Sequence, residues 1–492
     1  MRSYRPFPTI ALIASLALGC HNVDFSSRYG SGEIDIYDDL FSVSVIDENH
    51  VVAVGYHGAV YWTDDAGETW HKGRTPTQKM LYSVSMADRQ YGWAVGQLGT
   101  ILHTTDGGRT WTFQANPKSD ETNPTHLFSV HALDQDRAIA VGEWGGRIRT
   151  EDRGRTWEDN SLTVSLDHPQ FVWLNFEDQE KVRSGGAVFE DVGLQDVFCL
   201  RSTDECWLIG EFGYIFHSED GGRTWFRGEI EGDVRMDPIE LDFDQLELED
   251  EDVERLTAFA EQIVDESHLN VLIDPLVSPR EIETYYVDGN PEDLFDIISA
   301  RLDETKGVLE EAGLMTDRLR MYNKPPWDYE DFMEYDDTFL DRYIEGRRGA
   351  AALLKVTVIQ NPFLFTIRFS DSRNGLISGL GGVVLRSGDG GHTWTYVETD
   401  RRQALFSVAM SDRRAIAVGE KGLVQYSDDG GVSWAQPSEE NFPPIFTFMR
   451  DLRFAPTSND VGFIVGQEGM VLRSRDGGDS WTRVLPPRSR AG

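Results

Sequence analysis

Three cysteines set the covalent chemistry open to this chain of 492 residues. Cys20 closes a leader in which Arg2 and Arg5 precede the apolar run 10–18. A basic start, an apolar stretch too short to span a bilayer and a small-residue end make a secretory signal. Ala17, Leu18, Gly19 and Cys20 are similar to a bacterial lipobox, so acylation of Cys20 is expected, with ordinary secretion and a spare thiol as the alternative. Cys199 and Cys206 flank a polar loop in VFCLRSTDECWLIG and could face each other across a hairpin. In an exported protein that pair forms a disulfide; two buried free thiols are the other reading. Closing so short a loop adds little stability.

Carboxylates offer the next chemistry. The phrase [ST]-x-D-x-G-x-[ST]-W carries Asp65, Asp106, Asp152, Asp220, Asp389, Asp429 and Asp476. An Asp here can accept N–H groups of its own tight turn, and the flanking hydroxyls satisfy what remains, so a structural Asp-box is expected. The same motif occurs in sialidases, which add an arginine cluster and a paired carboxylate or tyrosine. Here Arg109, Arg155 and Arg223 occupy the motif's variable slot, and the Tyr4-Arg5-Pro6 stretch falls in the leader, so no catalytic residue is assigned. The eleven histidines show no H-x-x-x-H spacing and the cysteines no C-x-x-C, so no metal site is expected. The acidic stretch 248–253 lacks the glycine and terminal glutamate of a calcium loop. The recurring G-x-x-G links two strands and never opens a helix, which excludes a phosphate cradle. No cofactor is expected.

The elements that position these groups recur as one line of text in seven copies, at 40–70, 81–111, 127–157, 194–225, 364–394, 405–434 and 446–481. Each climbs from L-[FY]-S-V or its equivalent through a short apolar strand to G-x-x-G and ends in the Asp-box. In the second copy 81–86, 92–95, 100–104 and 111–114 read as four short strands. Four strands per repeat near 40 residues make a blade, and seven such repeats close into a ring. The terminal Trp, Trp111 in this copy, is a wedge between neighbouring blades. The expected fold is therefore all-β, a seven-bladed propeller of four-stranded antiparallel blades. A signal peptide (1–19) and a lipidated tether (20–32) precede blades 1–4 (33–228), and blades 5–7 follow at 356–492.

Between them lies an insertion, 229–355, with 36 acidic and 12 basic residues, so −24 of the chain's formal −38 resides there. Helical spacing at 252–263, 291–319 and 329–343, with Asn290 before Pro291 as a helix start, makes it a mostly helical acidic subdomain. A surface this acidic repels nucleic acid and anionic lipid headgroups and suits a basic protein partner.

The whole repeat, with L-[FY]-S-V, G-[WY]-x-V-G-x-x-G and D-G-G-x-T-W, resembles that of the photosystem II stability and assembly factor family, also described as a BNR-type repeat. The resemblance implies a propeller that binds other proteins while a membrane complex assembles. In a meander the G-x-x-G turns and the blade connectors share one face, opposite the Asp-box turns. The residues inside those turns vary, and Tyr56, His57, Glu143, Trp144, Glu211, Phe212, Glu420 and Lys421 form the candidate partner-binding face. Gln97, Leu98, Leu380, Gly381, Gln467 and Glu468 fill the remaining turns. The expected protein is a non-catalytic accessory or assembly factor of a cell-envelope membrane complex. Its setting would be the periplasm or outer membrane of a Gram-negative bacterium, with membrane contact through the lipid anchor. The resemblance makes an RND-type transporter a candidate partner. The alternatives are an extracellular glycan-binding protein and a sialidase-like hydrolase.

Overall fold

The computed structural model describes residues 38–484 apart from 118–124, 167–173, 175, 231–235, 265–268, 288, 322–348, 361–362, 398, 400, 412 and 439. The leader, Cys20, the tether and the expected helix at 329–343 lie outside the described residues. Each repeat forms one antiparallel sheet in simple meander order. In repeat 2 the strands are Leu81–Met86, Gly92–Gly96, Ile101–Thr104 and Thr112–Phe113. The second strand of every repeat is buried at all five positions, because it has a neighbouring sheet on both faces. Its alternation of small and branched residues suits close stacking of two sheets.

Two repeats depart from four strands. In repeat 6 the outer strand is reduced to a bridge between Tyr426 and Ala435, leaving a three-stranded sheet. Repeat 5 gains a fifth strand, since Glu229–Ile230 runs parallel to its outer strand Thr393–Val397. The seventh copy also begins later than its text suggests. Its inner strand is Met449–Phe454, so Met449 stands where the other copies have Leu, and Phe446 is 84% exposed.

Adjacent sheets are joined by apolar clusters, each including a terminal Trp of the Asp-box. Trp111 packs with Val52 and Val54 of the preceding repeat, and Trp481 with Ile416 and Val418. The last sheet packs on the first: Phe463 and Val465 share a core with Leu40, Val43 and Trp70. The architecture is all-β and propeller-like.

The 229–355 region combines helices with strands that its helical spacing does not announce. Its described part holds a four-stranded sheet in the order Ile239–Leu241, Ala352–Gln360, Leu269–Leu276, Leu319–Met321. Two long helices, Asp250–Ile263 and Pro291–Glu311, pack on it through Leu256, Phe259, Ile263, Leu294, Ile298 and Leu302. The segments 269–276 and 352–360 are strands in which buried positions alternate with more exposed ones, a period of two that helical spacing does not register. The second helix starts where its text predicts, with the Asn290 side chain accepting the N–H of Glu292, but it stops at Glu311. The last strand of this sheet continues to Gln360, so the subdomain does not end at 355. Arg301 and Glu281, 2% and 0% exposed, pair at 2.5 Å and tie the second helix to the buried turn at Ser278. Among the described residues no helix is long and apolar enough to cross a membrane.

Candidate interaction face

The face is built at the start of the inner strands. In all seven repeats the pairing between first and second strands slips at the second residue of the inner strand, as between Leu40 and Ser42 or Leu364 and Thr366. Such a bulge leaves one residue unpaired and re-aims its side chain. The re-aimed residues are Phe41, Tyr82, Phe128, Gln195, Phe365, Phe406 and Arg450. The aromatic ones meet around the ring with their planes inclined to one another, Phe41 to Tyr82 at 5.8 Å, Tyr82 to Phe128 at 6.0 Å and Phe365 to Phe406 at 5.3 Å. The Arg450 guanidinium lies 5.0 Å over Phe406 and 5.9 Å over Phe41, closing the rim between repeats 6 and 1. Burial lowers the pKa of this guanidinium. Burial, with Glu143 and Tyr56 nearby, pushes the Tyr82 hydroxyl up to about 12.

One residue deeper, hydroxyls form a belt. Ser42 accepts the N–H of Val84, Ser83 that of Val130 and Ser129 that of Val197, each across a repeat boundary. In repeats 4 and 7 an acid replaces the hydroxyl. Asp196 accepts Ser129 Oγ, Thr366 Oγ1 and the guanidinium of Arg368, while Asp451 accepts Ser42 Oγ, Ser407 Oγ and the N–H of Val43. Asp451 thereby joins the last repeat to the first.

The G-x-x-G turns stand beside this rim. The first residue of each donates its N–H to the carbonyl preceding its own inner strand, as Gln97 does to Met80 at 2.9 Å and Glu420 to Ala404 at 3.0 Å. A Cβ on the preceding glycine would meet that carbonyl, at 2.0 Å for Gly96 and 1.9 Å for Gly419, so only glycine permits the approach. The next residue adopts the left-handed conformation: His57, Leu98, Trp144, Phe212, Gly381, Lys421 and Glu468, with φ between 52° and 73°.

The eight residues expected to bind a partner therefore divide. His57, Trp144, Phe212 and Lys421 project from the left-handed position and are exposed. Glu143 and Glu211 instead turn inward, accepting the backbone N–H of His126 at 2.6 Å and of Gly193 at 3.1 Å. Burial, reinforced by Asp191 and Glu143, raises the Glu211 carboxyl. Tyr56 packs on Phe41 and His57, and Glu420 pairs with Lys421 at 3.3 Å. The rim aromatics were legible only as framework in L-[FY]-S-V; the available signal was that the [FY] slot becomes Gln195 and Arg450 in the two repeats whose next residue is an acid.

On the opposite face every Asp-box carboxylate is hydrogen-bonded within its own turn. Asp106 accepts Thr104 Oγ1 at 2.9 Å, the N–H of Thr110 at 2.8 Å and Thr110 Oγ1 at 2.6 Å. The same hydroxyl contact recurs at Asp65, Asp152, Asp220, Asp389, Asp429 and Asp476. Cys199 and Cys206 stand opposite each other on the first two strands of repeat 4 and are joined, S–S 2.09 Å. Among the described residues, His217 and His392 do converge, beside Glu219.

Sheets of Asp-box repeats closing on themselves define a propeller-type repeat protein. The chain belongs to the family described as photosynthesis system II assembly factor YCF48, which matches residues 22–165, 68–195 and 351–444, more than half of its length. Similar solved structures include YCF48 bound to D1 peptide, at 16% identity and TM-score 0.48, covering 91% of this chain and 96% of that one. YCF48 from Cyanidioschyzon merolae aligns at 15% identity and TM-score 0.47, over 90% of this chain and 99% of that one. The GH74 xyloglucanase from Xanthomonas campestris aligns at 12% identity and TM-score 0.49, covering 93% of this chain and 55% of that one. A search of curated protein sequences returns no significant match.

Proposed function

We propose that the protein is a seven-bladed, non-catalytic docking propeller, an accessory or assembly factor that holds a protein partner on its G-x-x-G face. One observation carries this reading. Leu98, Trp144 and Phe212 occupy left-handed positions in three successive repeats and are 36%, 40% and 43% exposed. A large side chain there costs about 1–2 kcal/mol of backbone strain that glycine would avoid. Leu380, 39% exposed in repeat 5, extends the arc. Exposed aromatic residues beside a half-buried aromatic rim and one guanidinium match the composition of interface centres. The turn bearing Phe212 touches the Ala352–Gln360 strand of the acidic subdomain, so a partner crossing the arc meets a negatively charged flank. A basic protein segment suits that arrangement.

Membership in an assembly-factor family supports the accessory role. The finer expectations, export, a lipid anchor at Cys20 and an envelope complex such as an RND-type exporter as client, rest on the leader-like N terminus and the repeat resemblance alone. Photo-crosslinking tests the docking face. A benzoyl-phenylalanine placed at position 144 or 212 is expected to capture the same protein from intact cells, and one placed at Val432, 58% exposed in an Asp-box, is expected to capture none. Equal capture from position 432 contradicts the assignment.

A further inference from the structure

On the Asp-box face, three register positions meet at several of the boundaries between neighbouring repeats. They are the third residue of the third strand, the residue before the Asp-box aspartate, and the variable slot of the following Asp-box. Between repeats 1 and 2 these are Trp62, Asp64 and Arg109, with Arg109 on Asp64 at 2.6 Å and over Trp62 at 4.2 Å. Between repeats 3 and 4, Arg223 pairs with Glu151 at 2.5 Å and Arg149 joins them. Between repeats 7 and 1, Arg473 and Arg475 both reach Glu68 at 2.9 Å. Each of these junctions is clasped by a guanidinium and a carboxylate.

Between repeats 4 and 5 the same positions hold His217, Glu219 and His392. No guanidinium occupies them. The potential ligand atoms of the three all lie within 4.8 Å of one another, and the imidazole centres are 4.2 Å apart at 73°. His217 is 6% exposed, and its Nδ1 is buried with no hydrogen-bond partner. The backbone of His392 is fixed, because its carbonyl accepts the N–H of Glu229 at 2.8 Å. An open pocket of ≈ 260 Å³ lies against all three side chains. Its other carboxylate from an Asp-box, Asp389, is already held by Ser387 at 2.8 Å and Thr393 at 2.7 Å.

We propose that His217, Glu219 and His392 bind a divalent cation of the zinc class, which replaces the missing ion pair and clasps repeat 4 to repeat 5. Two imidazoles and one carboxylate suit a borderline-soft ion, and a water from the pocket completes four-coordination. The placement has a physical reason. The chain leaves repeat 4 at Arg227, adds Glu229–Ile230 to the next sheet, and rejoins the ring only at Leu364. Here neighbouring repeats are joined by the longest connection, where a metal clip gains most. This inference does not depend on the docking face.

The test titrates the full, tag-free chain, stripped with chelator, with Zn²⁺ by calorimetry, alongside His392→Ala and Glu219→Gln, both at exposed positions. One equivalent should bind, at least about tenfold more weakly in either variant, whereas His71→Ala, at an exposed histidine of repeat 1, should bind as the parent does. Zn²⁺ should also raise the unfolding temperature of the parent and leave that of His392→Ala unchanged. Absence of stoichiometric binding, equal binding by His392→Ala, or binding without a thermal shift overturns the proposal.

Discussion

The carboxylates of this chain respond to acid in two opposite ways. The Asp429 carboxyl is held at about 2, by the Ser433 hydroxyl first, then the Ser433 N–H and the Ser427 hydroxyl. At Asp65, Asp106, Asp220, Asp389 and Asp476 burial is the largest influence and pushes upward, but the combined hydrogen bonds outweigh it and the pKa falls; at Asp152 the Thr156 N–H leads and the fall is the same. A folded-state pKa below the unfolded one contributes stability above about pH 4, and that stability is lost as pH falls toward 2. Asp451 is the reverse. Burial dominates and raises it to about 6, so its charge opposes folding above that pH, and the opposition is relieved as pH falls from about 6 to about 4. Unfolding temperature measured against pH should therefore rise slightly from pH 7 to pH 5 and then fall steeply below pH 4. Asp451→Asn should reduce the first segment, to which Glu211, Asp191 and Asp274, also raised by burial, contribute in the same direction, and keep the second. An unchanged slope between pH 4 and 6 in that variant would exclude Asp451 as its source.

At the scale of the element, the junction of repeats 4 and 5 concentrates packing. Trp207, 1% exposed on the second strand of repeat 4, stacks on Phe369 at 3.7 Å and donates Nε1–H to the Gly390 carbonyl at 2.7 Å. Trp207→Ala leaves a cavity between two sheets and an unpaired carbonyl, and should destabilise by about 3–5 kcal/mol. Chemical denaturation measures it; a loss below about 1 kcal/mol would mean the two sheets close over the gap. The strands themselves were legible because their text repeats: Gly92, Gly96 and the Asp106-Gly107-Gly108 turn bound the strands of repeat 2 by their own stereochemistry. The seventh inner strand was misplaced because Met449 is followed by Arg450 where the other copies carry an aromatic residue or Gln195, and the Phe446 that opens the copy in its text is solvent-facing. The bulge that aims Phe41 and its counterparts inward leaves no trace in composition. Neither does the meeting of His217 with His392, which needs two consecutive repeats to lie side by side.

For the whole molecule, closure decides which residues can act together. The Ser42 hydroxyl donating to Asp451 and the N–H of Glu468 donating to Asp39 Oδ1 at 2.9 Å unite the first and last repeats, and with them the turns form a crown. Charge is distributed apart from that crown, with the acidic subdomain on one flank and the apolar arc of Leu98, Trp144, Phe212 and Leu380 beside it. The sequence assigned the crown as a set of turns but gave equal weight to both residues of each; packing separates Glu143 and Glu211, which latch the backbone, from Trp144 and Phe212, which face outward. The most direct measurement is the affinity of the cross-linked partner, purified, for the parent chain and for Trp144→Ala/Phe212→Ala. Loss of two central aromatic anchors predicts binding weaker by about tenfold or more, with the unfolding temperature unchanged because both side chains are exposed. Equal affinity for the two proteins would contradict the docking face.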